Sequence, residues 1–422
     1  MNIYIKREKS VFQMERKRIQ ALVAGIFLYI CLGFQYSWSN YIDFLERDQG
    51  WSRTELAAVF TVCMLCFAAA CFLGGTLSQK IGALWVMRLG AVSIFLGLIG
   101  SSFAASVLML CVCFGGLCGG GIGIAYIAAM PCVQQRFPDR LGLISGVLLM
   151  TYGLGGTILG TVTTALMAAT DWRTGFRVLG IAMGIVMLLA SGFLREPDAE
   201  EKLYLEERRA QAERGKKAGR PPVETVGIEA DMRTMLSRKS FWYYFIWYVL
   251  ISSLWMGAVG QAATYALDMG AGLKLATLTA GAITFFNGAG RLFAGWLHDV
   301  MPRRRVMMGI SALVLVAVVL MYLGLKFSIL WLLILSVSLI GLGYGASATT
   351  NPVFIRRFFG QKNYAQNLGI VNCNGLFSAI LGSTMGPLLI QRFAGYDVMM
   401  IYFIVLIAIA FVLQLGIKEK AQ

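Results

Sequence analysis

The 422 residues are 58% hydrophobic and 14% charged, with a formal net charge of +15. Soluble domains average about 25% charged residues, so this composition excludes an ordinary soluble enzyme and marks an integral membrane protein in contact with the lipid bilayer. In so apolar a chain the positive excess is a matter of topology and argues against nucleic acid as a partner.

The chain opens on a basic tail, 1–18, with Lys6, Arg7, Lys9, Arg16, Lys17 and Arg18. It runs into an apolar span without a small-residue cleavage site, the pattern of a signal anchor. Apolar runs of about 20 residues, enough to cross a hydrocarbon core of roughly 30 Å, then recur. They cover 19–42, 54–78, 84–104, 106–131, 141–168, 175–194, 241–265, 275–297, 306–325, 328–350, 367–391 and 397–416. Lipid cannot satisfy backbone polar groups, so each run must be a helix. Alternate loops carry Lys80 and Arg88, then Arg136 and Arg140, then Arg303, Arg304 and Arg305, then Arg356, Arg357 and Lys362. By the positive-inside rule these loops and both termini are cytoplasmic, in a multi-pass protein of the cell membrane, whether plasma or inner.

The first span carries Tyr36 and Trp38, and the second ends in Gly75-Thr76-Leu77-Ser78-Gln79-Lys80. The nine cysteines all lie in or beside apolar spans, as small buried hydrophobes. Cys63-x-x-Cys66 has metal-like spacing, but it falls within a helix and the single histidine, His298, lies in a different loop, so no metal site is expected. The glycines from Gly115 to Gly123 resemble a phosphate cradle only superficially. They lie inside an apolar span with no Lys-Ser or Lys-Thr after them, which indicates close helix packing. Tyr126 follows in the fourth span and Tyr152 in the fifth.

The one long hydrophilic stretch, 195–239, reads as a solvated cytoplasmic linker, with a Glu-Arg-Lys-rich run from Glu200 to Arg214 able to form a surface helix. It divides a six-span half, 19–194, from a second, 240–416, with a short tail at 417–422. The halves repeat one another. Gly75 to Lys80 has its counterpart in Gly295-Trp296-Leu297-His298-Asp299-Val300, and Pro131, Arg136 and Phe137 recur as Pro352, Arg357 and Phe358. A constant offset of about 220 residues implies an all-α fold of twelve transmembrane helices in two pseudo-symmetric six-helix bundles, and in such carriers the cargo is held between the bundles near mid-membrane.

The second half supplies the most informative residue. Arg291 is the only charge well inside an apolar span, about 12 Å inward from Asp299 at 1.5 Å per residue. An arginine near the centre of a membrane helix costs roughly 2.5–3.5 kcal/mol on insertion scales, so it faces a protein interior or wet cavity and has a function there. Its planar fork suits a carboxylate. Asn287, one turn earlier, projects to the same side, either as a polar clamp on cargo or as interhelical glue. At the repeat offset Arg291 corresponds to Cys71, so the cation exists in one half only. No Asp or Glu lies deep in a span, which disfavours a protein-borne proton relay and export of cations alike. No nucleotide motif is present, and no cofactor or catalytic residue is expected.

The segment Gly295-Trp296-Leu297-His298-Asp299-Val300-Met301-Pro302-Arg303-Arg304 resembles the cytoplasmic signature loop of the major facilitator superfamily, with Pro302 in place of a glycine. Tyr36-Ser37-Trp38-Ser39, Gly50 to Glu55, Gly121 to Tyr126 with Arg136 to Arg140, and Phe358 to Asn363 resemble the oxalate/formate antiporter family within it, relatives of the monocarboxylate transporters. The resemblance implies a largely aromatic cavity in which Arg291 binds a carboxylate and Tyr36, Tyr126, Tyr152 and Tyr344 match pocket tyrosines. Trp38 and Trp255 also fall on spans that line the cavity in this superfamily.

The family's oxalate carriers place a lysine in helix eleven. Here that neighbourhood, Gly369 to Leu376, has no cation, and Asn372 and Asn374 offer neutral donors suited to one carboxylate. Proton-coupled relatives hold an aspartate where Asn287 stands. Gly75, Gln79, Gly295, Asp299 and Arg303 occupy the gating loops, and Gln79 replaces the aspartate that helps lock one conformer, which implies a weaker latch. The expected function is not enzymatic: exchange of a small carboxylate by alternating access, by a monomer. The rivals are proton-linked monocarboxylate symport and a non-transporting sensor signalling through 195–239.

Overall fold

The computed structural model describes residues 2–217, 228–259, 261–393 and 395–417, and every regular element among them is helical. Twelve long helices follow in chain order. They are α1 (Phe12–Gln49), α2 (Arg53–Ile81), α3 (Ala83–Ser102), α4 (Val107–Gln134), α5 (Leu141–Ala169) and α6 (Trp172–Phe193). The second half holds α7 (Lys239–Val259), α8 (Leu273–Val300), α9 (Arg303–Lys326), α10 (Leu330–Phe359), α11 (Tyr364–Phe393) and α12 (Asp397–Gly416). Eleven are long and apolar enough to cross a membrane; α8, 28 residues long, is not among them, its apolar run being broken by Asn287 and Arg291.

Several helices outrun their apolar stretches. α10 extends to Phe359 rather than 350, because the amphipathic turns beyond the hydrocarbon keep the hydrogen-bonding pattern that lipid made obligatory within it. α2 begins with a capping box in which the Glu55 N–H donates to Ser52 Oγ at 3.3 Å and the Ser52 N–H to the Glu55 carboxylate at 2.9 Å. Irregular turns lie within α1 (Gly33–Ser37), α4 (Cys111–Cys118) and α11, where the helix breaks at Cys373.

The chain forms two compact units, Met1–Gly215 with Asn363–Ile370, and Lys216–Lys362 with Val371–Gln422. In the first, α2 packs on α4, α3 on α4 and α6, and α1 on α5. In the second, α8 packs on α10, α9 on α10 and α12, and α7 on α11 and α12. Both units turn large apolar side chains outward, among them Leu73, Val162 and Leu189 in the first and Phe285, Trp331 and Val412 in the second. Such a surface is stable only against lipid. All nine cysteines are free thiols.

The stretch 195–239 departs from a solvated linker. Its first part is a helix, Ala199–Lys217, docked on the first unit. Glu201, 1% exposed, pairs with Arg136, 2% exposed, at 2.7 Å. Arg136 also donates to the carbonyls of Cys132 and Arg195 at 2.9 and 2.8 Å. Asp198 caps the helix through the Glu201 N–H at 2.8 Å and pairs with Lys17 at 2.9 Å, and these two contacts hold its carboxyl below the usual range. Arg18 donates to the Arg136 carbonyl at 2.7 Å and pairs with Asp139 at 2.9 Å. The unit boundary therefore falls at Gly215, inside the predicted linker. Hydropathy registers the charges of this helix but not that they neutralise one another on a protein face.

Beyond the linker helix, Asp231 caps a short helix, Met232–Ser237, and Glu229 accepts from the backbone N–H groups of Gln361 and Lys362 at 3.2 and 2.8 Å. Residues 1, 218–227, 260, 394 and 418–422 lie outside the described set, as do the side chains of 2–11, 209, 211–217 and 273.

Candidate functional site

The site starts from the contact between α8 and α10. Gly345 lies so close to α8 that an added Cβ would come within 2.0 Å of the Asn287 carbonyl, and at Gly341 the same atom would meet the Ile283 carbonyl at 2.2 Å. Gly290 approaches α10 reciprocally, 2.1 Å from the Leu342 carbonyl. Small residues let the backbones approach, and in lipid this packing replaces the hydrophobic drive available in water.

The polar groups are ordered by that contact. Arg291 is 6% exposed and donates from Nε to Asn287 Oδ1 at 3.1 Å. Thr349 Oγ donates to the Arg291 carbonyl at 3.1 Å, tying the same turn to α10. Asn287 thus orients the guanidinium plane through an uncharged oxygen.

Tyr344, beside Gly345, stacks on Trp255 of α7 with ring centroids 4.0 Å apart and planes at 8°. Trp255 Nε1 has no hydrogen-bond partner among the described residues. Asn372 and Asn374 flank the break in α11, and each has a buried, unpartnered Nδ2 among the described residues. Neutral donors therefore stand in α7 and α11 of the unit that holds Arg291.

In the first unit, Tyr126 and Tyr152 have ring centroids 5.2 Å apart, and Tyr36 meets Tyr152 edge-on at 5.2 Å. Tyr29 joins them, 5.4 Å from Tyr126, with its hydroxyl donating to the Tyr126 carbonyl at 2.8 Å. Gln35 donates from Nε2 to the Tyr152 hydroxyl. Sequence reasoning missed both Tyr29 and Gln35. The available signal was the seven-residue spacing from Tyr29 to Tyr36, two helical turns.

Trp38 lies apart from the tyrosines. It is 2% exposed, packs on Phe114 at 4.3 Å and donates its indole N–H to the Leu56 carbonyl at 2.9 Å. The turn at Gly33–Ser37 rotates it away from the face that Tyr36 occupies.

The gating residues also separate. Gly75 lies against the Gln366 backbone, where a Cβ would meet it at 2.4 Å, and Gln79 Nε2 donates to Asn363 Oδ1 at 2.9 Å. In the second unit Arg303 is buried over the Phe358 ring, 4.6 Å from its centroid. His298 is not in a loop but in the last turn of α8, buried, with Nε2 2.9 Å from Thr350 Oγ and its carbonyl accepting from Arg357 at 2.8 Å. Gly295 is buried one turn before Asp299. Among the described residues no three His, Cys, Asp or Glu side chains gather as metal ligands. A recess of about 370 Å³ on α12, lined by Val405, Ala408, Ile409, Val412 and Leu413, has no group able to bind an anion.

The α8–α10 contact gives a direct expectation. Gly345→Val should destabilise the second unit by about 2–3 kcal/mol through overpacking. Gly281→Val, on α8 and with nothing within 4 Å of its added Cβ, should be close to neutral. Thermal melting of the two purified variants checks this, and equal melting temperatures contradict it.

The family profile described as Major Facilitator Superfamily matches residues 23–382 and 275–420. The chain is 24% identical to the oxalate:formate antiporter of Oxalobacter formigenes, over 70% of this chain and 67% of that protein. It is 27% identical to monocarboxylate transporter 12-B of Danio rerio, over 73% of this chain and 66% of that one. Among solved structures, the proton:xylose symporter XylE superposes with a TM-score of 0.66 at 13% identity, covering 96% of this chain and 98% of its own, a likeness of fold alone.

Proposed function

The chain belongs to the major facilitator superfamily of membrane transporters, and on that premise we propose that it exchanges small organic anions, monocarboxylates or short carboxylates, by alternating access. The carrying observation is Arg291: a guanidinium 6% exposed within a membrane helix, oriented by the neutral oxygen of Asn287. A carboxylate accepts two parallel N–H bonds from such a fork, and the pairing strengthens where water is excluded. The similarity to the oxalate:formate antiporter and to a monocarboxylate transporter supports the same cargo class. Neutral donors at Trp255, Asn372 and Asn374 favour one carboxylate over two, because a second buried carboxylate without a countercharge is costly.

Exchange follows from the same charge. A bound carboxylate adds a countercharge and two fork hydrogen bonds to the buried Arg291 guanidinium, so closure is favoured with cargo aboard and return of the empty carrier is the slower path. Gln79 and Asn363 form a neutral latch in place of a carboxylate one, with Gly75 near the end of α2, Gly295 and Asp299 in the last turns of α8 and Arg303 at the start of α9 beside the connections that move. The protein acts as a monomer in the cell membrane with both termini cytoplasmic.

The test is counterflow in proteoliposomes loaded with formate, acetate, lactate, pyruvate, oxalate, malonate or succinate. External anion of the same panel should accelerate efflux at least about tenfold over zero-trans efflux, a difference of 1.4 kcal/mol in barrier. Accumulation driven by a pH gradient without internal anion would instead establish proton-linked symport. Absence of flux for all seven acids would leave a sensor.

A further inference from the structure

The backbones of α8 and α10 meet in a fixed register. An added Cβ at Gly341 would meet the Ile283 carbonyl and one at Gly345 the Asn287 carbonyl, and each pair is 58 positions apart. The next pair in that register is Arg291 and Thr349. There the glycine gives way to a hydroxyl: Thr349, 0% exposed, donates from Oγ to the Arg291 carbonyl at 3.1 Å.

The first unit carries the same contact without the polar groups. Between α4 and α2, an added Cβ at Gly119 would meet the Cys63 carbonyl and one at Gly123 the Phe67 carbonyl, both at 2.5 Å and both 56 positions apart. Continuing that register by one turn pairs Cys71 with Ile127. Cys63, Phe67 and Cys71 are the counterparts of Ile283, Asn287 and Arg291 at the repeat offset of 220. The duplicated contact therefore forms with phenylalanine, cysteine and isoleucine where the second unit has asparagine, arginine and threonine. These three depart together, on adjacent turns of one helix pair.

Neither packing nor the threonine itself requires the bond to α8. The hydroxyl already lies 3.2 Å from the Gly345 carbonyl of its own helix, the usual partner for a buried helical threonine. The Arg291 carbonyl, for its part, has a lone pair left over after the helical ladder, and Thr349 takes it. That bond fixes the roll of α8 at this turn and hence the direction in which the arginine leaves the helix. Asn287 Oδ1 holds the far end of the same side chain, at Nε. A fork that offers two parallel hydrogen bonds is useful only if both its origin and its plane are set.

We infer that Thr349 is a positioning residue for the carried carboxylate, the third member of a polar set with Asn287 and Arg291 inserted into one copy of a duplicated helix contact. The inference rests on the carboxylate reading above. It makes the affinity for an acid depend on a side chain of α10 that acts through the α8 backbone.

Thr349→Val keeps the branched shape and removes the hydroxyl, and Thr349→Ser keeps the hydroxyl. On the tightest-binding acid of the seven-member panel, Thr349→Val should raise the KM of counterflow about three- to tenfold, the range for hydrogen bonds between membrane helices, with kcat within about twofold. Thr349→Ser should stay within about twofold of the wild type in both constants, since the bond persists. In an Arg291→Lys background, which has no fork to align, Thr349→Val should change KM by less than about twofold. Where the valine variant does not fold, Thr349→Ala takes its place with the same expectations. Unchanged KM or a loss confined to kcat in Thr349→Val, an equal rise in the Arg291→Lys background, or a serine variant as weak as the valine one overturns the inference, while wild-type exchange and its loss in Arg291→Ala still stand. No response to any acid in the wild type overturns both readings.

Discussion

Arg291→Ala is expected to abolish carboxylate counterflow, lowering kcat/KM at least about 100-fold. Truncating one member of a buried, hydrogen-bonded charge pair costs roughly 2–5 kcal/mol, or about 30- to several-thousand-fold. The loss should appear for every acid in the panel, since all share the carboxylate that the fork receives. Arg291→Lys separates charge from geometry. A lysine keeps the cation but not the bidentate fork and loses the Nε bond to Asn287, so it should recover only part of the rate. Asn287→Ala should weaken transport less than Arg291→Ala, because the cation stays and only its orientation is released. Wild-type counterflow in purified, monodisperse Arg291→Ala would remove Arg291 from the transport path.

The second large effect lies in the first unit. Glu201→Ala should destabilise the docked linker helix by about 3–5 kcal/mol, the range for removing one partner of a buried ion pair. It leaves the Arg136 guanidinium buried without its carboxylate while the bonds to the Cys132 and Arg195 carbonyls persist. Arg136→Met should cost a similar amount for the mirrored reason. The double variant Arg136→Met/Glu201→Met should recover much of the loss, because two apolar side chains can fill the space of a buried pair. Trypsin supplies the readout: cleavage at Lys202 and Arg208 should accelerate in both single variants and return toward the wild-type rate in the double. Unchanged cleavage in Glu201→Ala would place this pair among surface ion pairs of negligible value.

These two residues show what could be read from the chain. Arg291 was legible because a charge inside a run of apolar residues is improbable and local: the run, its length and the intrusion sit in one stretch of sequence. Arg136 and Glu201 were not, because each looks like an ordinary loop charge and their pairing joins positions 65 residues apart. Trp38 and Tyr36 illustrate the same limit at short range. They are two residues apart and share an aromatic character, yet a single tight turn sends one into the helix packing and leaves the other 45% exposed.

The amino-acid sequence alone determined the membrane class, the helical spans, the duplicated halves and the presence of a cation well inside an apolar span. Each of these is set by the contrast between lipid and water acting on consecutive residues, and a one-dimensional string records that contrast. Tertiary structure alone decided that Asn287 orients the guanidinium, that Gln35 reaches the Tyr152 phenol and that the linker helix is clamped. With every membrane helix apolar on most faces, periodicity does not say which face meets which neighbour. Glycine contacts between distant segments make that choice, and the partner of each polar group follows from it.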